Sequence, residues 1–250
     1  GSSMNIIEVK NLKKIYKSRG RVTEALRGVS FEVQHGEIFG ILGVNGAGKS
    51  TTLSILINLL TPTSGTVKFF GKDMRGHEEE IKNRINIATA YADLATSLTV
   101  YENLKVFSLM YNVKNYKAKI GELLEQFGIT GLRKSKFGEL SAGQKTRVNL
   151  AKSLINDPEI LLLDEPTASL DPAIAAQTRE LLLELQAKHR RTIVFTSHNM
   201  PEVEELCDRV ALLDKGLIYR IDTPENLVAH HNAPDLEDVF IKLAKGEYEE

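Results

Sequence analysis

Gly43–Val44–Asn45–Gly46–Ala47–Gly48–Lys49–Ser50–Thr51 decides how this chain is read. Ahead of it runs Glu37–Ile38–Phe39–Gly40–Ile41–Leu42, a short apolar run of strand type. After it, the segment Thr51 to Leu60 puts apolar residues at 53, 56, 57 and 60, the spacing of one helical face. The order predicted is strand, glycine loop, helix. Glycines reach φ > 0 and let the backbone approach a ligand closely. Their N–H groups then turn inward as an anion nest. The helix adds unpaired N–H groups and the positive end of its dipole.

The spacing is that of GxxxxGK[ST], the phosphate-binding loop of nucleotide triphosphatases. In that role Gly43, Asn45, Gly46, Ala47, Gly48, Lys49, Ser50 and Thr51 surround the phosphates of ATP. Lys49 brings an ammonium to the β and γ phosphates, and Ser50 offers a hydroxyl to Mg²⁺. A glycine turn followed by an ordinary lysine would not need this strand and this helix on either side.

Composition sets outer bounds. The 250 residues are 42% hydrophobic and 26% charged, as in globular domains. A net charge of −1 makes no electrostatic case for a nucleic-acid partner. The single Cys207 rules out an intrachain disulfide and fits a reducing compartment. No apolar run approaches the length of about 18 residues that a membrane helix needs. No secretory pattern precedes the first predicted strand, and Gly1–Ser2–Ser3 ahead of Met4 has the form of an expression remnant.

Ile6–Val9, Ser30–Val33 and Gly65–Gly71 alternate like half-exposed strands and predict a small antiparallel sheet. Between the first two, Tyr16 is expected in a basic, polar loop with Lys13, Lys14, Lys17, Arg19 and Arg21. Helical periodicity marks 100–112 and 117–127, the latter closed by Gly128. Ser141 stands where an N-cap belongs, ahead of a helix through Ile155. Ile160–Asp164 and Thr192–Thr196 read as buried parallel strands. Pro172 begins a helix to about His189, Met200–Cys207 is helical, and Asp214–Lys215–Gly216 predicts a hairpin.

The expected class is therefore α/β: a P-loop core with a mixed, mainly parallel sheet, an antiparallel β subdomain and an inserted helical subdomain. The boundaries expected are 4–90 with 156–222 for the nucleotide core and its antiparallel sheet, 91–155 for the helical insert, and 223–250 for a helical tail.

A phosphate loop alone only binds. Asp164 and Glu165 end a buried strand, so Asp164 can hold Mg²⁺ and Glu165, at the lip, can polarise an attacking water. Leu140–Ser141–Ala142–Gly143–Gln144 is one substitution from LSGGQ, Ser169–Leu170–Asp171 follows Glu165, and His198 follows the strand 192–196. In this order the motifs resemble the ATP-binding subunit of ABC transporters over nearly the whole chain.

The resemblance implies head-to-tail pairing, with each ATP between the phosphate loop of one subunit and Ser141, Gly143 and Gln144 of the other. It implies that Tyr16 stacks on adenine, that Asp171 couples the two sites, and that His198 contacts the γ-phosphate alongside Glu165 and Lys49. A C2 pair gives two equivalent sites, and intact halves favour a homodimer. The alanine at 142 forbids easy φ > 0; if the signature glycine backbone needs that conformation, affinity falls, and otherwise little changes.

One departure stands out. The family usually carries a glutamine after the strand near 85–89, whereas here the position is Ala90, and no Gln occurs between 35 and 125. Alanine ligates no metal, which leaves Thr89, Asp93 or water in its place. The resemblance also implies a separate transmembrane permease docked near 90–110, and a place on the cytoplasmic membrane face. Gly36–Glu37–Ile38–Phe39–Gly40 and the tail Leu236–Leu243 resemble the drug, polysaccharide and lipid exporters. The other readings are a soluble ABC-type ATPase acting on nucleic acid or ribosomes, and a regulator with weak turnover through Ala90.

Overall fold

A computed structural model describes residues 5–44, 46–89, 94–168 and 170–246. The chain opens with β1 (Asn5–Ser18), β2 (Arg21–Gln34), β3 (Ile38–Leu42), α1 (Lys49–Leu56), β4 (Ser64–Phe69), β5 (Lys72–Asp73), α2 (Glu78–Lys82) and β6 (Ile85–Thr89). Then come α3 (Val100–Met110), α4 (Tyr116–Gln126), α5 (Ala142–Ser153), β7 (Ile160–Asp164), α6 (Pro172–His189) and β8 (Thr192–Ser197). The chain closes with α7 (Met200–Leu206), β9 (Arg209–Asp214), β10 (Leu217–Asp222), α8 (Pro224–His230) and α9 (Leu236–Ala244).

Two sheets result. One has the order β2-β1-β4-β5 and is antiparallel throughout. The other has the order β10-β9-β3-β8-β7-β6, parallel from β9 to β6 with β10 antiparallel at its edge. All five residues of β3 are buried, and they split by the two-residue strand period. Phe39 and Ile41 face the antiparallel sheet, where Phe31 stacks on Phe39 at 5.3 Å between ring centroids. Ile38 and Leu42 face the helical side with Val203, Leu206 and Phe195. Each such side chain contributes about 1.5–3 kcal/mol through burial, so β3 is anchored on both faces and the loop leaving it starts from a fixed point.

The basic stretch around Tyr16 is not a loop. β1 and β2 pair out to Ser18↔Arg21, with register shifts on the way, and Arg19 (φ 45°) and Gly20 (φ 79°) form the two-residue turn. Two successive positive φ values are what a type I′ hairpin requires. Lys-rich alternation hid the strand, because neither face of this arm is strongly apolar. The helix after the phosphate loop also ends earlier than its apolar spacing suggests. It stops at Leu56, Asn58 takes φ 61°, and Ser54 O accepts from the N–H groups of both Leu59 and Leu60. The 214–216 hairpin forms as predicted, with Lys215 and Gly216 at φ 49° and 76°.

Candidate active site

Parallel pairing puts the ends of β3, β7 and β8 side by side, as at the carboxyl edge of any such sheet. From β3 the chain enters the glycine loop, with Gly46 at φ 84° and Gly48 at φ 111°. A Cβ on Gly48 would lie 2.8 Å from Leu26 Cδ2 and 3.0 Å from Ala25 O, so a side chain there is excluded by space as well as by φ. A Cβ on Gly43 would meet Leu213 O and the Ala47 side chain. The β9–β10 turn buttresses the loop: Gly216 N–H donates to Ala47 O at 3.0 Å, and Arg27 N–H donates to Gly216 O at 2.8 Å.

The start of α1 differs from most other helix starts in the chain. Thr99, Ser141, Asp171, Asn199, Thr223 and Asp235 cap α3, α5, α6, α7, α8 and α9 with a side-chain oxygen. The N-cap of α1 is Gly48, with no side-chain acceptor and no acidic residue in the first turn. Its N–H groups and dipole face a cavity of about 330 Å³ lined by Ala25, Gly46, Gly48, Lys49, Ser50, Thr51, Asp164 and Glu165.

Lys49 is 5% exposed, and its ammonium donates to Glu165 Oε1 at 2.6 Å and to Gly43 O. His198 Nδ1 lies 3.1 Å from the same Oε1. Burial works against ionisation of Glu165, but hydrogen bonds and charge from Lys49 and His198 outweigh it and hold the carboxyl below the usual glutamate range. Glu165 also has φ 45°, a left-handed conformation uncommon outside glycine, with its N–H donating to Thr196 O at 3.1 Å. That turn swings the carboxylate off the strand axis toward Lys49. Asp164 stays in line with β7: its Oδ1 accepts from the Thr196 hydroxyl at 2.7 Å, and its Oδ2 faces the Ser50 hydroxyl at 3.3 Å. Two hard oxygen groups at that separation, beside a phosphate site, suit Mg²⁺.

The fold thus brings Lys49, Ser50, Thr51, Asp164, Glu165 and His198 together, with Gly43, Gly46, Ala47 and Gly48 beneath them. Ser141, Gly143 and Gln144 do not line this cavity. Ser141 Oγ accepts from Gln144 N–H at 3.2 Å while Gln144 Oε1 accepts from Ser141 N–H at 3.0 Å, a reciprocal capping box. Ala142 opens α5 without positive φ, so the alanine is conformationally harmless there. Gly143 is buried against α6, where a Cβ would lie 2.9 Å from Ile174 Cγ2. Asp171 caps α6 through Ala173 and Ile174 N–H. Tyr16, 43% exposed, pairs with Thr23 on the hairpin arm and lies outside the cavity lining, with Lys14 Nζ 5.2 Å from its ring centroid. Asn45, Ser169, Ala90 and Asp93 lie outside the described residues.

Two contributors were not anticipated. Thr196 holds both Asp164 and the Glu165 backbone, and its signal was a hydroxyl ending an otherwise apolar buried strand. Gly216 supports the loop from a turn 170 residues away in sequence, which nothing local to Gly46 reveals.

The ABC transporter family matches residues 26–168, the span from β2 through the phosphate loop and α5 to the turn after Glu165. The chain belongs to the ABC transporter family. It is 34% identical to the ABC transporter ATP-binding protein NatA of Bacillus subtilis (strain 168), over 96% of this chain and 99% of that one. It is 35% identical to Nod factor export ATP-binding protein I of Burkholderia orbicola (strain AU 1054), over 94% of this chain and 76% of that one. Its fold is similar to the dimeric post-hydrolysis structure of the ATP-binding cassette MJ0796 bound to ADP and Pi, with TM-score 0.78, 27% identity and coverage of 87% and 98%. This ABC ATPase is accordingly an ATP-binding, ATP-hydrolysing transporter subunit, and subunits of this family work with transmembrane permeases. Among its described residues no helix is long and apolar enough to cross a membrane.

Proposed function

We propose that this ABC ATPase energises an export permease by closing and reopening a head-to-tail dimer around Mg·ATP. The observation that carries the reading is the convergence of Lys49, Glu165 and His198 beside the uncapped start of α1. Glu165 is held by Lys49 and His198. ATP phosphates at α1 compete for Lys49, and the released carboxylate becomes more basic and better able to orient a water for attack on the γ-phosphate. His198, half exposed and paired with Glu165 through Nδ1, has Nε2 left to donate to that phosphate. Ser50 and Asp164 would hold Mg²⁺, which would supply neutralising charge for the phosphates when bound.

The dimer supplies what one chain lacks. Ser141 keeps its hydroxyl hydrogen available after capping α5, and the Ala142 and Gly143 N–H groups point off the same helix start. On a second copy these groups fit the γ-phosphate, with Asp171 near the seam and Tyr16 against the adenine ring. The boundaries 91–155 for the helical subdomain and 223–250 for the tail follow the same family plan.

A permease surface is supported on α3. Val106, Leu109 and Met110 are exposed there at 44%, 57% and 56%, and Leu59, exposed at 78%, lines a cavity of about 360 Å³ together with Phe107 and Tyr111 of the α3 end. Exposed large apolar side chains grouped on one helix support a partner site there. Docking there places the chain on the cytoplasmic membrane face. The export assignment follows the relatives that carry export in their names. With Ala90 where the family carries glutamine, Thr89, Asp93 or water would complete the metal shell.

The test is Mg²⁺ titration of ATP hydrolysis in wild type, Asp164→Asn and Ala90→Gln. The reading expects Asp164→Asn to require much more Mg²⁺ or lose activity, and Ala90→Gln to lower the Mg²⁺ requirement. An Asp164→Asn chain with wild-type rate and Mg²⁺ dependence would overturn the metal assignment.

A further inference from the structure

A buried carboxylate lies just behind the site and takes no part in the chemistry described above. Glu202, on the first turn of α7, is 2% exposed. Its Oε1 accepts from the Thr167 hydroxyl at 2.5 Å and its Oε2 from the Ser197 hydroxyl at 3.3 Å. Its backbone N–H is capped by Asn199 Oδ1 at 3.1 Å, and Ser197 Oγ accepts in turn from Asn199 N–H at 2.9 Å. Among the described residues, the hydrogen bonds to this carboxylate come from hydroxyls, not from cations. Arg179 of α6 acts on this carboxylate through its charge and pairs at 3.1 Å with Glu205.

The two hydroxyls belong to two working segments. Thr167 sits in the turn that leaves Glu165, where Ala168 N–H donates to Glu165 O and Leu170 N–H donates to Thr167 O. That turn delivers Asp171 to the start of α6. Ser197 ends β8 and immediately precedes His198. A surface cleft of about 310 Å³, lined in part by Thr167, Leu170, Asn199 and Glu202, lies beside the turn and α7. The hydrogen bonds from Thr167 and Ser197 therefore join the turn to the end of β8 through one buried side chain. Burial pushes the Glu202 carboxyl up from its ordinary value, against the pull of the Thr167 and Ser197 hydrogen bonds. A leucine of similar size would fill the space without that cost, so the polar tie needs a reason other than packing.

We propose that Glu202 is a positioning residue that ties the Asp171 turn to the His198 strand end through Thr167 and Ser197. Movement of the turn at the dimer seam is thereby transmitted to His198, and the alignment of His198 depends on where the turn sits. The proposal rests on the roles given to Glu165 and His198.

The test compares steady-state ATPase of the full chain, per ATP-binding site titrated, for wild type, Glu202→Leu, Thr167→Val, Ser197→Ala and the double variant Glu202→Leu/Thr167→Val. Glu165→Gln and His198→Ala serve as controls. Misalignment at a distance from the chemistry costs about tenfold to a hundredfold in rate. The expected result is that loss in kcat for Glu202→Leu and Thr167→Val, with KM for ATP unchanged. The double variant should be no slower than the worse single one, because both break the same tie. Thr167→Val and Ser197→Ala leave Glu202 in place, so the test stands even if Glu202→Leu does not fold. Wild-type kcat per site in the Thr167 and Ser197 variants, or multiplying losses in the double variant, would overturn the proposal. If Glu165→Gln and His198→Ala also turn over normally, the reading of the site fails; if only they are slow, the tie alone fails.

Discussion

Replacing Glu165 by glutamine separates binding from turnover. Lys49 is 5% exposed and Glu165 12% exposed on the side chain, with 2.6 Å between the charged atoms. A hydrogen bond to a charged group contributes about 1.5–3 kcal/mol and a neutral one about 1 kcal/mol. Glutamine keeps a neutral acceptor, and the site opens to water, which screens the pair. The net loss in the nucleotide-free chain is therefore about 1 kcal/mol, or about 2–4 °C in Tm at this size. The same energy no longer opposes transfer of Lys49 to the phosphates, so ATP should bind about fivefold more tightly, since about 1.4 kcal/mol is tenfold. Hydrolysis should fall by about a hundredfold or more with loss of the base.

The pH dependence has a definite sign. The folded-state pKa of Glu165 lies below the ordinary 4.5, so its contribution is present above pH 4.5 and is lost as pH falls through the lowered value. The stability difference between wild type and Glu165→Gln should therefore be full at neutral pH and vanish in acid below 4.5. The assay is a Mg²⁺-free ATP titration by fluorescence together with thermal unfolding from neutral pH into acid. Unchanged affinity with unchanged Tm at neutral pH would refute the competition between ATP and Glu165 for Lys49.

Gly48→Ala forces a side chain onto φ 111° and within 2.8 Å of Leu26, so ATP affinity should fall more than about tenfold while the fold persists, as measured by nucleotide titration beside circular dichroism. Gly143→Val should lower Tm, because overpacking against Ile174 costs about 1–3 kcal/mol; Ala142→Gly should leave ATP affinity within about twofold, since position 142 has ordinary helical backbone. Leu109→Glu on the exposed face of α3 should leave ATPase of the chain alone unchanged and abolish co-purification with the permease.

The sequence made the phosphate loop plain because its chemistry is local: glycine, lysine and hydroxyl lie within nine residues, between a strand and a helix that each carry their own periodicity. Asp164 was legible for a related reason, as a polar residue ending an apolar strand, whereas His198, which follows β8, was singled out by the family resemblance. What stayed hidden depends on contacts between distant segments. Tyr16 looked like a loop residue because the β1–β2 arm is basic on both faces, and only its partner strand makes it a strand. Gly143 looked like a ligand-facing glycine, and its lack of a side chain is already required by Ile174 of α6. The Lys49–Glu165–His198 contact joins residues 116 and 33 positions apart, and spacing alone does not give the distances. Glu202 carried no signal at all, being one of several acids on a short amphipathic helix.

The central claim is that each site is half-built in one chain and completed by Ser141 and its neighbours on another. The most direct measurement is the mass of the Glu165→Gln chain by light scattering, with and without saturating Mg·ATP. A shift from the monomer mass of 27.8 kDa to twice that value with ATP, lost again on Ser141→Arg, is the result predicted. A mass that stays at 27.8 kDa while ATP is demonstrably bound, or a dimer indifferent to Ser141→Arg, would contradict it.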